Sequence, residues 1–155
     1  MKTNAVRMLD SKKIAYEILS YSHDDGKIDG VSVAGKIGRD PKTVFKTLVT
    51  TGNSKQNYVF IVPVEEELDL KKAAAAAGEK KVEMLPSKDI QKTTGYIRGG
   101  CSPVGMKKLF PTFIDETAAH LEKIVVSAGK IGLQIEVKPG DLIDAVNASF
   151  ADLSK

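Results

Sequence analysis

The spacing of apolar positions changes several times along the chain, and each change predicts an element. Ala5, Val6, Met8 and Leu9 fall at near-helical spacing, so the first segment is expected to be a helix with one apolar face. From Ile14 to Tyr21 the period drops to two, with Ile14, Tyr16 and Ile18 alternating with Ala15, Glu17 and Leu19, which predicts a strand. After the polar loop SHDDGKIDG, the run VSVAGKIG predicts a short helix stopped by Gly38, and Asp40-Pro41 predicts a turn. VFKTLV (44–49) and YVFIVP (58–63) flank TGNSKQN as the strands of a hairpin. The second run has no charge on either face, which places it at the centre of a sheet.

Asp69 stands as the N-cap of DLKKAAAAAG, whose alanines favour helix and whose Gly78 supplies the left-handed stop. KVEML reads as a strand, and Ser87 as the cap of a short helix through Ile90. PTFID, KIVVSA and GLQIEV read as strands, and DLIDAVNASF as a closing helix with Asp141 at its cap. Strands and short helices mix without a regular βαβ rhythm. The expected fold is therefore α+β: a single domain over residues 1–155 with a mixed, barrel-like sheet flanked by short helices.

At 155 residues, 42% hydrophobic and 28% charged, the chain can bury a sizeable core. No apolar run approaches the roughly 20 residues of a membrane span, and MKTNAVRMLDSKK lacks the apolar centre of a secretory signal, so a cytoplasmic protein is expected. A single cysteine, Cys101, excludes an internal disulfide and a thiolate-clustered metal site. His23 and His120 have no partner at ligand spacing, so no metal is expected. The net charge of +3 permits a polyanionic partner without demanding one.

Candidate chemistry centres on Lys46, a cation inside the otherwise apolar, β-favouring VFKTLV. Either its stem packs on Val44 and Leu48 while the ammonium reaches water, or the charge meets an anionic or carbonyl-bearing ligand. Two glycine-rich segments favour the site. Thr94–Gly105 carries Gly95, Gly99, Gly100 and Gly105, and Val126–Val137 carries the loop from Ser127 to Gly132. Such loops present backbone N–H groups close to a ligand. Neither matches a P-loop or a dinucleotide fingerprint. Cys101 can be read as nucleophile, buried filler or incidental residue, and as a nucleophile it lacks a base nearby in sequence. Ser102 and Ser127 stand outside GxSxG.

VFKTLV, TGYIRGGCSPVGMKK and VSAGKIGLQIEV, in this order and at these separations, resemble the YbaK family of Cys-tRNA(Pro) deacylases, related to the editing domain of bacterial prolyl-tRNA synthetases. The resemblance spans nearly the whole chain. It implies an α+β fold on a barrel-like sheet and hydrolysis of the ester joining a wrong amino acid to tRNA, with no metal or organic cofactor. It further implies an aminoacylated tRNA(Pro) partner, with help from prolyl-tRNA synthetase. The family's essential lysine falls on Lys46, with Thr47 and Leu48 as pocket lining, Gly100 where backbone meets substrate, Ser127 and Gly129 in the Ser-x-Gly-Lys loop, and Tyr21 bordering the pocket. Ile28 stands where some members have phenylalanine, Gln134 where some carry Asp, and Cys101 where an aliphatic residue is common.

On this reading Lys46 holds the phosphate side of the substrate while amides of the glycine loop face the developing oxyanion. The thiol of the misattached cysteine supplies the nucleophile. The alternatives are a deacylase for another small residue, such as Ala-tRNA(Pro), and a non-catalytic tRNA- or synthetase-binding module.

Overall fold

In the computed structural model, which describes residues 2–155, helix α1 (Asn4–Ser11) buries Ala5, Val6 and Leu9. The Thr3 hydroxyl caps it by accepting the Val6 amide at 3.2 Å, a contact of a kind worth about 1 kcal/mol. Strand β1 (Glu17–Ser20) starts later than the alternation from Ile14 predicts. The exit from α1 takes up the missing residues: Lys13 turns through φ 58°, and the Ile14 amide is spent on the Leu9 carbonyl. The Tyr16 hydroxyl is held by Asp10.

Helix α2 (Gly30–Ile37) begins at Asp29, whose carboxylate accepts the Ser32 amide, and ends at Gly38 with φ 69°, as its sequence predicts. β2 (Phe45–Gly52) and β3 (Asn57–Pro63) form the expected antiparallel hairpin, with Lys46 opposite Val62 and Thr47 opposite Ile61. Helix α3 (Leu70–Ala77) is capped by Asp69 and closed by Gly78. After β4 (Val82–Met84), helix α4 (Ser87–Thr94) departs from expectation at both ends. Ser87 is its first residue instead of its cap, with Pro86 at the cap position. The helix also runs past Ile90, because Gly95, at φ 89°, is the first residue that can supply the left-handed stop.

β5 (Thr112–Asp115), β6 (Ile124–Lys130) and β7 (Leu133–Val137) match the predicted strands. Helix α5 (Pro139–Val146) starts before Asp141, which lies in its first turn, where a carboxylate suits the helix dipole. It stops at Asn147, with φ 53°, so the last part of DLIDAVNASF leaves the helix and Ser149–Ala151 forms strand β8.

The strands make two sheets, one of order β1-β7-β6 and one of order β4-β2-β3-β5-β8. β3 is central as expected, and its pairing is antiparallel to β2 but parallel to β5, so the larger sheet is mixed. The barrel-like expectation needs correcting. The sheets are joined by an isolated parallel bridge between Val44 and Val125 and do not close, since one bridge is too little ladder to seal a barrel. The main core lies between the sheets and includes Phe45, Ile61, Ile114, Ile124 and Ile135. A second cluster around Phe60 and Val62 packs beneath α3.

Candidate active site

Where the two sheets meet, Val44 and Val125 bring the start of β2 beside β6, and a cavity of ≈ 150 Å³ opens. Lys46, Tyr21, Ile28, Thr47, Ser127 and Gln134, all expected site residues from four separate stretches of sequence, line it. Lys46 is the one charged residue in that lining. It is half-buried, and its ammonium makes no hydrogen bond or ion pair among the described residues. A cation left without a protein partner beside a cavity is free to meet a negative charge that arrives with, or develops on, a ligand.

Beside β2 the lining continues on β6 and β7, where Ser127 stands across from Gln134 in the ladder. A bulge between Ser127 and Lys130 turns the strand, and the Ser127 hydroxyl accepts the Gly129 amide at 3.1 Å. Gln134 is only 7% exposed, yet its side-chain amide bonds to no described residue. The buried side-chain polar atom of this lining that finds no partner is the Thr47 hydroxyl, and such a group costs about 1–3 kcal/mol unless a ligand or water satisfies it.

The mouth is built by the loop between β1 and α2. The Tyr21 amide donates to the Gly132 carbonyl at 3.0 Å. The Lys36 ammonium donates to the Ser22 carbonyl at 2.8 Å, the Asp25 carboxylate at 2.8 Å and the Lys27 carbonyl at 2.9 Å, and lies 5.9 Å from the centre of the Tyr21 ring. One cation on α2 thereby fixes the loop that carries Tyr21 at one end and Ile28 at the other.

Three expected site residues lie elsewhere. Gly100 is buried behind the cavity; its amide donates to the Ile97 carbonyl, and a Cβ there would stand 3.0 Å from the Ile131 nitrogen. Gly99 lines the cavity in its place. Gly129, at φ 97°, seats Tyr96, because a Cβ would meet the ring at 2.7 Å. Leu48 packs on the second cluster and lines a neighbouring cavity of ≈ 380 Å³. Sequence reasoning also missed Gly30 and Val33 of α2 as lining. Lys36 was missed because its partners lie nine to fourteen residues back in a loop with no periodic signal.

Cys101 lines both cavities, but burial pushes its thiol up to about 11, tempered by the Thr94 hydroxyl at 3.9 Å. At neutral pH it is a thiol, not a thiolate, and a poor nucleophile. Among the described residues, no three His, Cys, Asp or Glu side chains come together as metal ligands, and no helix is long and apolar enough to cross a membrane.

Residues 30–145 match the aminoacyl-tRNA editing domain. Over 153 residues, 99% of this chain and 93% of the relative, the sequence is 48% identical to an Enterococcus faecalis (strain ATCC 700802 / V583) protein named "Putative Cys-tRNA(Pro)/Cys-tRNA(Cys) deacylase EbsC". The fold is similar to a crystal structure described as "a putative trans-editing enzyme for prolyl tRNA synthetase", with TM-score 0.87 and 22% identity over 100% of this chain and 99% of that one. A crystal structure of a hypothetical protein aligns with TM-score 0.89 and 20% identity over 99% of this chain and 100% of that one. At such identities these two structures attest the fold alone.

Proposed function

Because the chain belongs to the aminoacyl-tRNA editing domain family, we propose that it is a trans-editing deacylase that hydrolyses the ester of Cys-tRNA(Pro). The observation that carries the reading is the lining of the small cavity: one cation and one carboxamide without protein partners, the hydroxyls of Ser127, Thr47 and Tyr21, a protonated Cys101 thiol, and no carboxylate or imidazole. Such a site can bind and polarise an ester but has no group to serve as general base. The chemistry then calls for a nucleophile that comes with the substrate.

A cysteinyl ester brings one. A cysteine thiol with an ordinary pKa near 8.5 is a few per cent thiolate at neutral pH. Its sulfur attacks the carbonyl carbon of its own ester, and negative charge develops on the carbonyl oxygen beside Lys46. The tetrahedral intermediate collapses with rupture of the bond to the ribose oxygen, which leaves with a proton from water. A four-membered thiolactone remains, and water opens it to free cysteine. In this scheme Lys46, which lines the small cavity, is the electrostatic stabiliser at the acyl end and not the holder of the phosphate side expected from the sequence. Gly99 underlies the ester, and Ser127 and Gln134 face the amino acid's polar groups. Tyr21, Ile28 and Thr47 shape the walls.

Selectivity follows from the same step. A pocket separates side chains differing by one methylene by only about 1–3 kcal/mol, whereas a substrate without a thiol cannot take this route at all. The similarity to a relative whose name spans both Cys-tRNA(Pro) and Cys-tRNA(Cys) fits a site that reads the acyl group and leaves choice of tRNA to a partner. Prolyl-tRNA synthetase, in the cytoplasm, is the partner this reading assigns.

Release of amino acid from purified Cys-, S-methyl-Cys-, Ser-, Ala- and Pro-tRNA(Pro) tests the proposal. Cysteine should be freed far faster than serine, with the S-methyl ester bound but stable. Equal release of alanine or S-methylcysteine would show attack by water and overturn the scheme. Release of none would leave a binding module.

A further inference from the structure

The cavity of ≈ 380 Å³ shares Thr47, Gly99 and Cys101 with the smaller one, so the two lie on either side of a common wall. Their linings differ in chemistry. The smaller carries Lys46, Ser127 and Gln134, whereas the larger is faced mainly by Leu48, Val49, Met84, Leu85 and Ile90. β4 and α4 hold this apolar face in place, with the Leu85 amide donating to the Val49 carbonyl at 3.0 Å and Met84 in register with Thr50. Met84, at the end of β4, remains 45% exposed there. At the rim is Arg98, exposed and with no hydrogen bond or ion pair among the described residues.

An aminoacyl-tRNA has the same division. Its acyl group is small and polar, the ester is the joint, and beyond the joint lies a terminal adenosine with a flat heterocycle and an anionic phosphodiester. At ≈ 150 Å³ the first cavity is well below the roughly 300–1,000 Å³ of clefts that enclose larger ligands, and it takes the acyl group alone. With the acyl group seated there and the ester across the shared wall, the nucleoside falls in the larger cavity. Thioether and branched aliphatic side chains give a purine an apolar, adaptable surface. An unpaired guanidinium at the mouth suits a phosphate.

We propose, resting on the deacylase reading, that the cavity between β2, β4 and α4 is the subsite for the terminal adenosine of the acylated tRNA, with Arg98 at its phosphate. Substrate thus spans both cavities, and Met84, Leu85 and Ile90 contribute affinity without touching the reacting atoms.

The test uses 3′-cysteinylamino-3′-deoxyadenosine 5′-monophosphate, an amide that cannot be hydrolysed, titrated against the full chain and against Met84→Glu and Ser87→Trp. Both changes fall at exposed positions on the larger cavity, one adding a carboxylate and the other bulk. Circular dichroism identifies the variants that fold, and two sites protect against the loss of either. Binding should weaken at least tenfold in each folded variant, and the KM for Cys-tRNA should rise in parallel while kcat stays within twofold. Adding the amide should also shift the Met84 methyl resonance in the wild-type chain. Unchanged binding in the folded variants with an unmoved Met84 methyl overturns the subsite. So does binding of AMP as tight as that of the amide, since the cavity would then be a separate free-nucleotide site. A wild-type chain that binds the amide with this variant dependence but frees no cysteine from tRNA refutes the deacylase reading and leaves the adenosine subsite standing.

Discussion

The β2 wall and the mouth of the small cavity are held by different physics. On one side, Lys46 and Thr47 ride on β2, which is paired with β3 over its length from Phe45↔Pro63 to Thr51↔Asn57. On the other, Tyr21 and Ile28 sit on a loop whose anchorage is largely a single ammonium, Lys36, donating to three acceptors. The strand side positions its cation through many backbone bonds, none of which involves the Lys46 side chain. The loop side concentrates its order in one residue. Chemistry should therefore be lost by removing the Lys46 charge with the scaffold intact, and geometry by removing Lys36 with the chemistry intact.

The largest effect tests the strand side. Lys46→Ala should lower the rate of cysteine release by about 100-fold or more, the range of losing one preorganised charge stabiliser, with an unchanged circular dichroism spectrum. Lys46→Arg should fail to restore full activity, because a planar guanidinium does not fit where a compact ammonium does. A folded Lys46→Ala chain with near-normal turnover would remove β2 from the mechanism.

Next comes the loop. Lys36→Met keeps the stem but removes the donor, so KM should rise by about tenfold, as small misplacements of a binding wall do, with kcat much less affected; Lys36→Arg should recover part of the loss. Acid gives a second reading of the same contact. The Lys36 ammonium holds the Asp25 carboxyl below its usual range. This contribution is complete above the ordinary aspartate pKa and is lost as pH falls through the depressed folded value. In acid the wild-type KM should drift toward that of Lys36→Met, and the variant should show no such drift. Equal KM values for the two at neutral pH would show that the loop is ordered by something else.

A smaller effect is expected at Cys101, on the wall that the two cavities share. With its thiol raised to about 11 by burial, it is protonated in working conditions, and Cys101→Ala should keep release within a few fold. Complete loss of activity in a folded variant would restore an enzyme-borne nucleophile. The smallest change is at Thr47, whose buried hydroxyl finds no partner. Thr47→Val removes an unsatisfied group at nearly constant shape, so thermal melting should show a stability gain of about 1 kcal/mol or none. Lost turnover with unchanged or raised stability would mean that the substrate uses the hydroxyl.

Much of this was legible in the chain. Asp29 and Gly38, or Asp69 and Gly78, bracket their helices because capping is a local contest decided by residues within one turn. The unbroken apolar run of β3 marked it as central, and Lys46 stood out because a charge inside such a pattern needs a reason. Resemblance at three motifs then named seven site residues, with Tyr21 and Ile28 added from outside them, and those facing the cavity include Lys46, Ser127 and Gln134. Where local rules compete, the reading failed by a few residues. Pro86, not Ser87, precedes α4, and Asn147 ends α5 early, leaving Ser149–Ala151 to pair with β5.

What sequence alone determined is thus the kind of each element and the chemistry it carries, since period, caps and the misfit of Lys46 depend on near neighbours. Tertiary structure decided which of those groups meet. That Gly99 and not Gly100 faces the cavity depends on the backbone at Lys130 and Ile131, about thirty residues onward, against which Gly100 packs. That two sheets stay open depends on how few bonds Val44 and Val125 can make. Contacts of this kind join positions with no periodic relation, and their energies arise only when the chain has closed the intervening loops.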